Sequence, residues 1–386
     1  MEFRCRNHGE RGSGKMKQVE KKLFMIALSQ VEDVGRLTLG RIYDLEEFPV
    51  HLSAYPLQKI QKVLYVTEHV ARKIKEQFSL SLAEEIYGKL KEKGGDVLLF
   101  DDPRYSKRLK QIYDPPQLLY GIGNFNLLSH YSIAVIGSRT PTPYGRNNAR
   151  TFAKYLSKVG FCVVSGLARG IDGEAHQGAL QGSGATIGVL GGGIDQIFPK
   201  ENMAIYYEIM QRGLLLSEYP PGKKPFPKFF PERNRIISGL SLGTLVVESA
   251  IRSGTNITAD AALEQGRDVF AIPGSIHSSR SAGCHHLILE GAKLVQHPQD
   301  VVSHYPHYLP EILPSFKNDD NAFNSEQLTF EELEVLEAIG WEPISFEKIS
   351  QRFPLPSSQL HHLLLSLQVK KCIERLPGPS YLRLKS

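Results

Sequence analysis

Two short segments place small residues and an arginine directly after a run of apolar, β-forming residues. Gly137-Ser138-Arg139 follows Ile133 to Ile136, and Ser165-Gly166-Leu167-Ala168-Arg169-Gly170 follows Phe161 to Val164. Each is followed by a stretch with helical periodicity. Glycine and serine let a backbone approach an anion closely, and the helix that follows offers unpaired N–H groups at its positive dipole end. Arg139 and Arg169 would add full charge beside those amides, which is the chemistry of a phosphate site. One such loop reads as an ordinary tight turn with a solvated arginine. Two with matching chemistry in consecutive units point to an anion site.

A third segment runs Lys223-Lys224-Pro225-Phe226-Pro227-Lys228-Phe229-Phe230-Pro231-Glu232-Arg233-Asn234-Arg235. Basic groups can follow phosphates while phenylalanine faces stack on unpaired bases, so this composition leans to single strands. At least one of Phe229 and Phe230 is expected in the core, and the pattern leaves open which. Ser253-Gly254-Thr255 forms another small-residue set, with Ser253 or Thr255 able to cap the helix that begins there. Glu248 at a strand end has the position of a general base. No nucleophile accompanies it, so a role in orienting a loop or pairing with an arginine is the stronger expectation. Asp172 and His176 share one helix face at i, i+4, a pair better suited to capping or hydrogen bonding than to holding a metal. The rings of His285 and His286 diverge. Gly9 to Lys15 matches G-x-x-x-x-G-K, but Met16 stands where Ser or Thr should bind magnesium and no apolar strand precedes it, so no ATPase of that type is expected. No metal or cofactor is predicted.

These loops need a scaffold, and the middle of the chain supplies the pattern of one. Strand-like runs at 133–137, 161–165, 185–190, 214–218, 244–248, 268–272 and 292–295 alternate with helical segments. Runs this continuous in Val, Ile and Leu are buried on both faces of a parallel sheet, where ligands bind beyond the carboxyl ends of the strands. The expected class is α/β with an extended Rossmann-like, doubly wound core over residues 93–310. Before it, residues 21–92 read as a small all-helical domain, preceded by a polar leader over 1–20 in which Met16 is an alternative start. Residues 311–327 read as a linker. Residues 328–386 have three helical segments and a hairpin, the outline of a winged helix. That domain fits a packing role as well as nucleic-acid binding, and the acidic stretch from Phe330 to Glu347 weighs against a DNA grip.

The chain has 386 residues, a formal net charge of +5 and 41% hydrophobic residues, enough for a folded core and too mildly basic to name a polyanion by itself. Cys5, Cys162, Cys284 and Cys372 form no C-x-x-C pair, which argues against a zinc ribbon or a disulfide scaffold and fits the cytoplasm. No apolar run is long enough to span a membrane, and the N-terminus has no secretory h-region.

Taken together, GSR (137–139), SGLARGID with His176 (165–172), FPERNRIISGL (230–240), SGTNITA (253–259) and AIPG (271–274) closely resemble the DNA-processing protein A (DprA/Smf) family. The resemblance covers roughly residues 95 to 300, and the helical N-terminal module (SAM/helix-hairpin-helix-like) and winged-helix-like end resemble accessory domains of that family. It implies a homodimeric, non-catalytic protein that binds and protects incoming single-stranded DNA and loads a RecA-type recombinase in natural transformation. It maps a DNA pocket onto Arg139, Ser165, Gly166, Lys228 or its neighbours, Phe230, Arg233 and Asn234. With the neighbouring Gly137, Ser138, Arg169, Gly170, Arg235, Ser253, Gly254 and Thr255, these are the expected DNA-binding residues. One departure stands out: the family's usual Gly-x-Asn-x-Leu-Ile is Gly283-Cys284-His285-His286-Leu287-Ile288 here. A rival resemblance joins Gly243-Thr244 and Glu248 to part of the PGGxGTxxE motif of lysine-decarboxylase-like phosphoribohydrolases, although the leading Pro-Gly-Gly is absent. A further reading makes the C-terminal domain a protein-binding scaffold.

Overall fold

The computed structural model describes residues 18–43, 45, 52–308, 330–339, 343–353, 355–369, 372–376 and 380–384. The polar leader up to residue 17, with its Walker-like run and Cys5, and the 311–327 linker lie outside the described residues.

Five helices open the chain: α1 (Gln18–Gln30), α2 (Arg36–Tyr43), α3 (Leu57–Leu64), α4 (Glu68–Gln77) and α5 (Leu80–Glu92). Thr67 and Ser79 cap α4 and α5, each accepting from the N–H three residues on. The apolar face of α1, from Phe24 to Leu28, is buried. It joins Ile60, Ile74 and Leu90 in a cluster that continues into Val97, Leu99 and Tyr120 of the adjoining sheet. The change at residue 92 is therefore a change of secondary structure within one continuous core. A buried polar knot reinforces it. Asp96 accepts from Lys22 (3.2 Å), Tyr87 (2.9 Å) and Arg104 (2.8 Å). These bonds outweigh the cost of burying the carboxylate and hold its pKa down at about 2.

The central sheet has nine strands: β1 (Gly95–Leu99), β2 (Leu118–Gly123), β3 (Ser132–Ile136), β4 (Cys162–Ser165), β5 (Thr186–Leu190), β6 (Leu214–Ser217), β7 (Gly243–Val246), β8 (Asp268–Ala271) and β9 (Lys293–Leu294). Their spatial order is β1-β2-β6-β5-β4-β3-β7-β8-β9. Strands β3 to β9 pair in parallel, as the alternating pattern predicts. The two strands β1 and β2 are an addition to that pattern. They run antiparallel to each other and β2 runs antiparallel to β6. Sequence reasoning began the sheet at Ile133 because these two short runs are separated by turn-rich sequence and no helix. They form a hairpin-like edge instead of a βαβ unit.

Helices α6 (Pro143–Lys158), α7 (Ile171–Gln181), α8 (Met203–Arg212), α9 (Phe229–Leu240), α10 (Gly254–Glu264), α11 (Ala282–Leu289) and α12 (Pro298–Ser303) alternate with the parallel strands. In α6, Thr142 caps the first turn, Pro143 sits at its start, and Phe152, Ala153 and Leu156 bury one face. From β3 the chain winds outward through β4, β5 and β6 on one side, then returns to β7, β8 and β9 on the other. The switch point is the gap between β3 and β7, where an open α/β sheet has a crevice.

The C-terminal segment has its own small core, with Val335, Ile339, Ile349, Leu360, Leu364 and Leu367 among its members. Helices Phe330–Ala338, Phe346–Arg352 and Ser357–Val369 accompany a three-stranded sheet ordered β10-β12-β11, formed by Ile344–Ser345 between the first two helices and by Ser380–Arg383 and Ile373–Leu376 after the third. This is a winged helix. Among the described residues, no helix is long and apolar enough to cross a membrane.

Candidate nucleic-acid interface

The loops after β3, β4, β5 and β7 converge at the carboxyl edge of the sheet and wall two adjoining cavities. The first, of about 200 Å³, is bounded by Arg139, Gly166, Arg169, Leu190, Gly191, Phe198, Pro199, Pro225 and Phe230. The second, of about 520 Å³, lies at the switch point between the loops after β3 and β7. Its wall includes Gly137, Ser138, Asn234, Arg252, Ser253, Gly254, Thr255 and Arg280. Arg139, Thr140, Ala168 and Phe230 belong to both.

Arg139 is exposed, and its guanidinium stands 5.4 Å from the centre of the Phe230 ring. Phe230 also meets Phe198, with ring centres 5.8 Å apart. A cation beside a pair of partly open aromatic faces is suited to a phosphate and its neighbouring base. The pattern of α9 separates the two phenylalanines. Phe229, Arg233, Ile236, Ile237 and Leu240 make its buried stripe, so Phe229 packs into the core while Phe230 and Asn234 face the crevice. Phe229 stacks on Tyr219 at 4.2 Å.

That stripe also gives Arg233, expected among the DNA-binding residues, a structural role. Only 4% exposed, it lies between Phe229 and Ile237 on the core face. Its Nη1 donates to the carbonyls of Gly166 (2.7 Å) and Val189. Burial lowers its pKa to about 10, opposed by the charge of Asp172. Arg233 is thus the internal strut of the β4 loop. A side chain at Gly166 would land on its guanidinium and force the strut to shift. Asp172 completes the strut by accepting from the N–H groups of Gly166 (3.1 Å) and Ala168 (3.4 Å). Burial raises its pKa, against the pull of Arg233. Leu167, between those amides, has φ of 55°, a left-handed conformation that costs a branched residue energy. Asn202 holds it there, donating to the carbonyls of Leu167 (3.0 Å) and Ala168 (2.8 Å).

Other expected residues also take different places. Ser165 is fully buried and donates to the Val135 carbonyl at 2.6 Å, so its hydroxyl joins strands and does not face a ligand. Arg235 lies on another face of α9, bonded to both oxygens of Glu218 at 2.6 Å, and is absent from both cavities. Lys228 lines a different cavity, beside residues 29–39 of the helical module, with its ammonium 5.7 Å from the Phe229 ring. Arg169 reaches the first cavity but pairs with Glu201 at 2.6 Å across an exposed surface, so a ligand must compete with that carboxylate. Gly170 has φ of 79° and turns the chain into α7, where a side chain would strike the Ser138–Arg139 backbone. Ser253 caps α10, its Oγ accepting from Thr255 N–H at 3.2 Å.

The structure adds residues that sequence reasoning did not single out: Phe198, Asn202, Arg252 and Arg280. Arg280 donates to Ser138 Oγ (3.3 Å) and to Thr140 Oγ1, steadying the Arg139 loop. Basic residues isolated in turns carry no periodic signal, which is why Arg252 and Arg280 escaped. His285, in place of the family asparagine, keeps a link to its loop: Nε2 lies 3.1 Å from the Gly274 carbonyl.

Glu248 is 2% exposed, and both carboxylate oxygens are occupied: Thr142 N–H donates to Oε2 (2.9 Å) and Thr142 Oγ1 to Oε1 (2.5 Å). It latches the β7 end to the N-cap of α6, the loop-orienting role. Glu248→Gln puts an amide donor where one acceptor is needed, so it is expected to destabilise the fold by about 1–3 kcal/mol in chemical denaturation.

His176 is fully buried, with Nδ1 2.8 Å from Thr186 Oγ1. Burial lowers its pKa to about 3. In the unfolded chain it takes a proton near pH ~6.5, so its contribution to stability is full above that pH. As pH falls from ~6.5 toward 3 it is lost at about 1.4 kcal/mol per pH unit. Denaturation midpoints across that window should therefore slope less steeply in His176→Asn than in the native sequence.

With this geometry in view, comparison with known proteins becomes specific. The family model "DNA recombination-mediator protein A" matches residues 96–306, and a DprA winged-helix model matches residues 320–379. The chain belongs to the DprA/Smf family. Protein Smf of Escherichia coli is 39% identical over 294 residues, 74% of this chain and 76% of that protein. DNA processing protein DprA of Streptococcus pneumoniae is 48% identical over 204 residues, 53% of this chain and 72% of that one. The X-ray structure of S. pneumoniae DprA superposes with a TM-score of 0.65 at 37% identity, covering 75% of this chain and 98% of that chain. A second solved relative is DprA from Helicobacter pylori, described for its single-stranded DNA binding mode. It aligns with a TM-score of 0.50 at 31% identity, over 54% of this chain and 94% of its own. The family is one of DNA recombination mediators.

Proposed function

We propose that this protein binds single-stranded DNA across the carboxyl edge of its sheet and there acts as a recombination mediator. One observation carries the reading: Arg139, exposed and, among the described residues, bonded to no carboxylate, stands against the Phe230–Phe198 aromatic pair at the mouth of two adjoining cavities. The guanidinium takes a phosphate and the rings take a base. Ser138, Asn234 and the start of α10 supply neutral donors around it. Such contacts position a strand without reading its sequence. Binding is therefore sequence-tolerant and salt-sensitive, and it favours unpaired bases. The single-stranded DNA mode described for the H. pylori relative supports it.

On this reading the protein works without catalysis, as a homodimer in the cytoplasm, protecting incoming strands and handing them to a RecA-type recombinase. The phosphoribohydrolase alternative is disfavoured by Glu248, whose two oxygens are committed to Thr142. The deciding experiment is fluorescence anisotropy with an unstructured oligonucleotide, single-stranded against duplex, over a salt series. Tight, salt-dependent preference for the single strand supports the reading. Equal affinity for both forms, or release of free base from nucleoside monophosphates, would sink it. Size and recombinase-loading assays test the dimer and the hand-over.

A further inference from the structure

The second cavity is richer in positive charge than an internal stretch of strand requires. Arg139, Arg252 and Arg280 stand on its wall, contributed by the loops after β3, β7 and β8. The eleven-residue helix α10 begins there, and nothing lies within 4 Å of where a side chain on Gly254 would start. Arg233 lies behind this wall, 4% exposed, and its bonds to Asn234, Gly166 and Val189 keep it a strut of the loop, so the charge open to a ligand is that of the three surface arginines. The one carboxylate on the wall, Asp172, is already bound to the amides of Gly166 and Ala168.

A phosphodiester offers one negative charge. A phosphate monoester offers nearly two at neutral pH, and three acceptor oxygens, because its second pKa is about 6. Guanidinium groups arriving from separate loops, with a helix N-terminus between them, match the second group better. We propose that the switch-point crevice binds a phosphate monoester, the group carried by a strand end or a free nucleotide, while the aromatic cavity holds a base beside it. This inference rests on the nucleic-acid reading above and names the ligand chemistry of one half of that site.

The test uses the full chain and short oligothymidylates bearing a 5′-phosphate, a 3′-phosphate or hydroxyls at both ends, measured by anisotropy competition. A phosphorylated end is expected to improve affinity about tenfold near pH ~7.5. The advantage should shrink near pH ~5.5, where the monoester loses its second charge. Arg252→Ala should bring the phosphorylated and unphosphorylated affinities together. Arg280→Ala should do the same, although its bonds to Ser138 and Thr140 make it the less clean variant. Thymidine monophosphate, as a competitor, separates the two sources: displacement of the phosphorylated oligonucleotide at similar concentration identifies a nucleotide site, and failure to displace it identifies a strand-end site. Equal affinity for phosphorylated and hydroxyl ends, in a protein that still binds single strands, overturns this inference alone. Failure to bind any single strand overturns the reading beneath it.

Discussion

Arg139→Ala is expected to weaken single-stranded DNA binding by roughly tenfold to a hundredfold at low salt, the loss of one charge-assisted phosphate contact. The dependence of log affinity on log salt should become shallower by about 0.7, the increment for one phosphate on a single strand. The two readouts must move together. A weaker complex with an unchanged slope would mean that Arg139 acts by holding Phe230 in place, since the guanidinium and ring are 5.4 Å apart. Because Arg139 is exposed and the loop around it is fixed by Arg280 and by the Glu248–Thr142 latch, the variant should fold normally. Lys228→Ala provides the contrast. Its ammonium lies in the cavity beside the helical module, so its effect on the slope should be much smaller. Equal effects of the two substitutions would move the strand's path away from the crevice.

The contrast shows where sequence reasoning works and where it stops. The parallel strands and the loops after them were legible because buried strands are continuous in apolar residues and ligand loops follow their carboxyl ends. The winged helix was legible from the spacing of Leu360, Leu363, Leu364 and Leu367, which form one buried stripe. What was not legible was the direction of individual basic side chains. Arg233, Asn234 and Arg235 are consecutive, yet successive residues on a helix point about 100° apart. Arg233 is buried behind the crevice wall, Asn234 opens on the crevice, and Arg235 goes to Glu218. The clue for Arg233 was present: it occupies the i+4 position from Phe229 in an otherwise apolar stripe. Lys228 was placed by proximity in sequence, whereas the chain turns into α9 just there and carries it to the other side of Phe229. Phe198, Arg252 and Arg280 reach the site from turns, where no periodicity announces a side chain's direction.

Arg233→Ala is expected to be the most damaging single substitution at the site, and by a route different from Arg139→Ala. Removing the guanidinium leaves the buried carbonyls of Gly166 and Val189 without their donor and opens a cavity beneath the β4 loop. It also removes the positive charge that partly offsets burial of Asp172. Unpaired buried acceptors cost about 1–3 kcal/mol each, so a total of about 3 kcal/mol or more is expected. For a fold of this size that corresponds to a fall in Tm of roughly 6–12 °C. DNA binding should fall as well, because Leu167 can stay left-handed only while its neighbours hold it. The salt slope separates this from loss of a direct contact: among molecules that remain folded, Arg139 still meets its phosphate, and the slope should change little. Arg233→Lys keeps a charge but cannot span both carbonyls with one planar group, so it should recover only part of the stability. A variant that melts at the native temperature and loses only affinity and slope would show the opposite arrangement, with Arg233 held for the ligand and not for the loop.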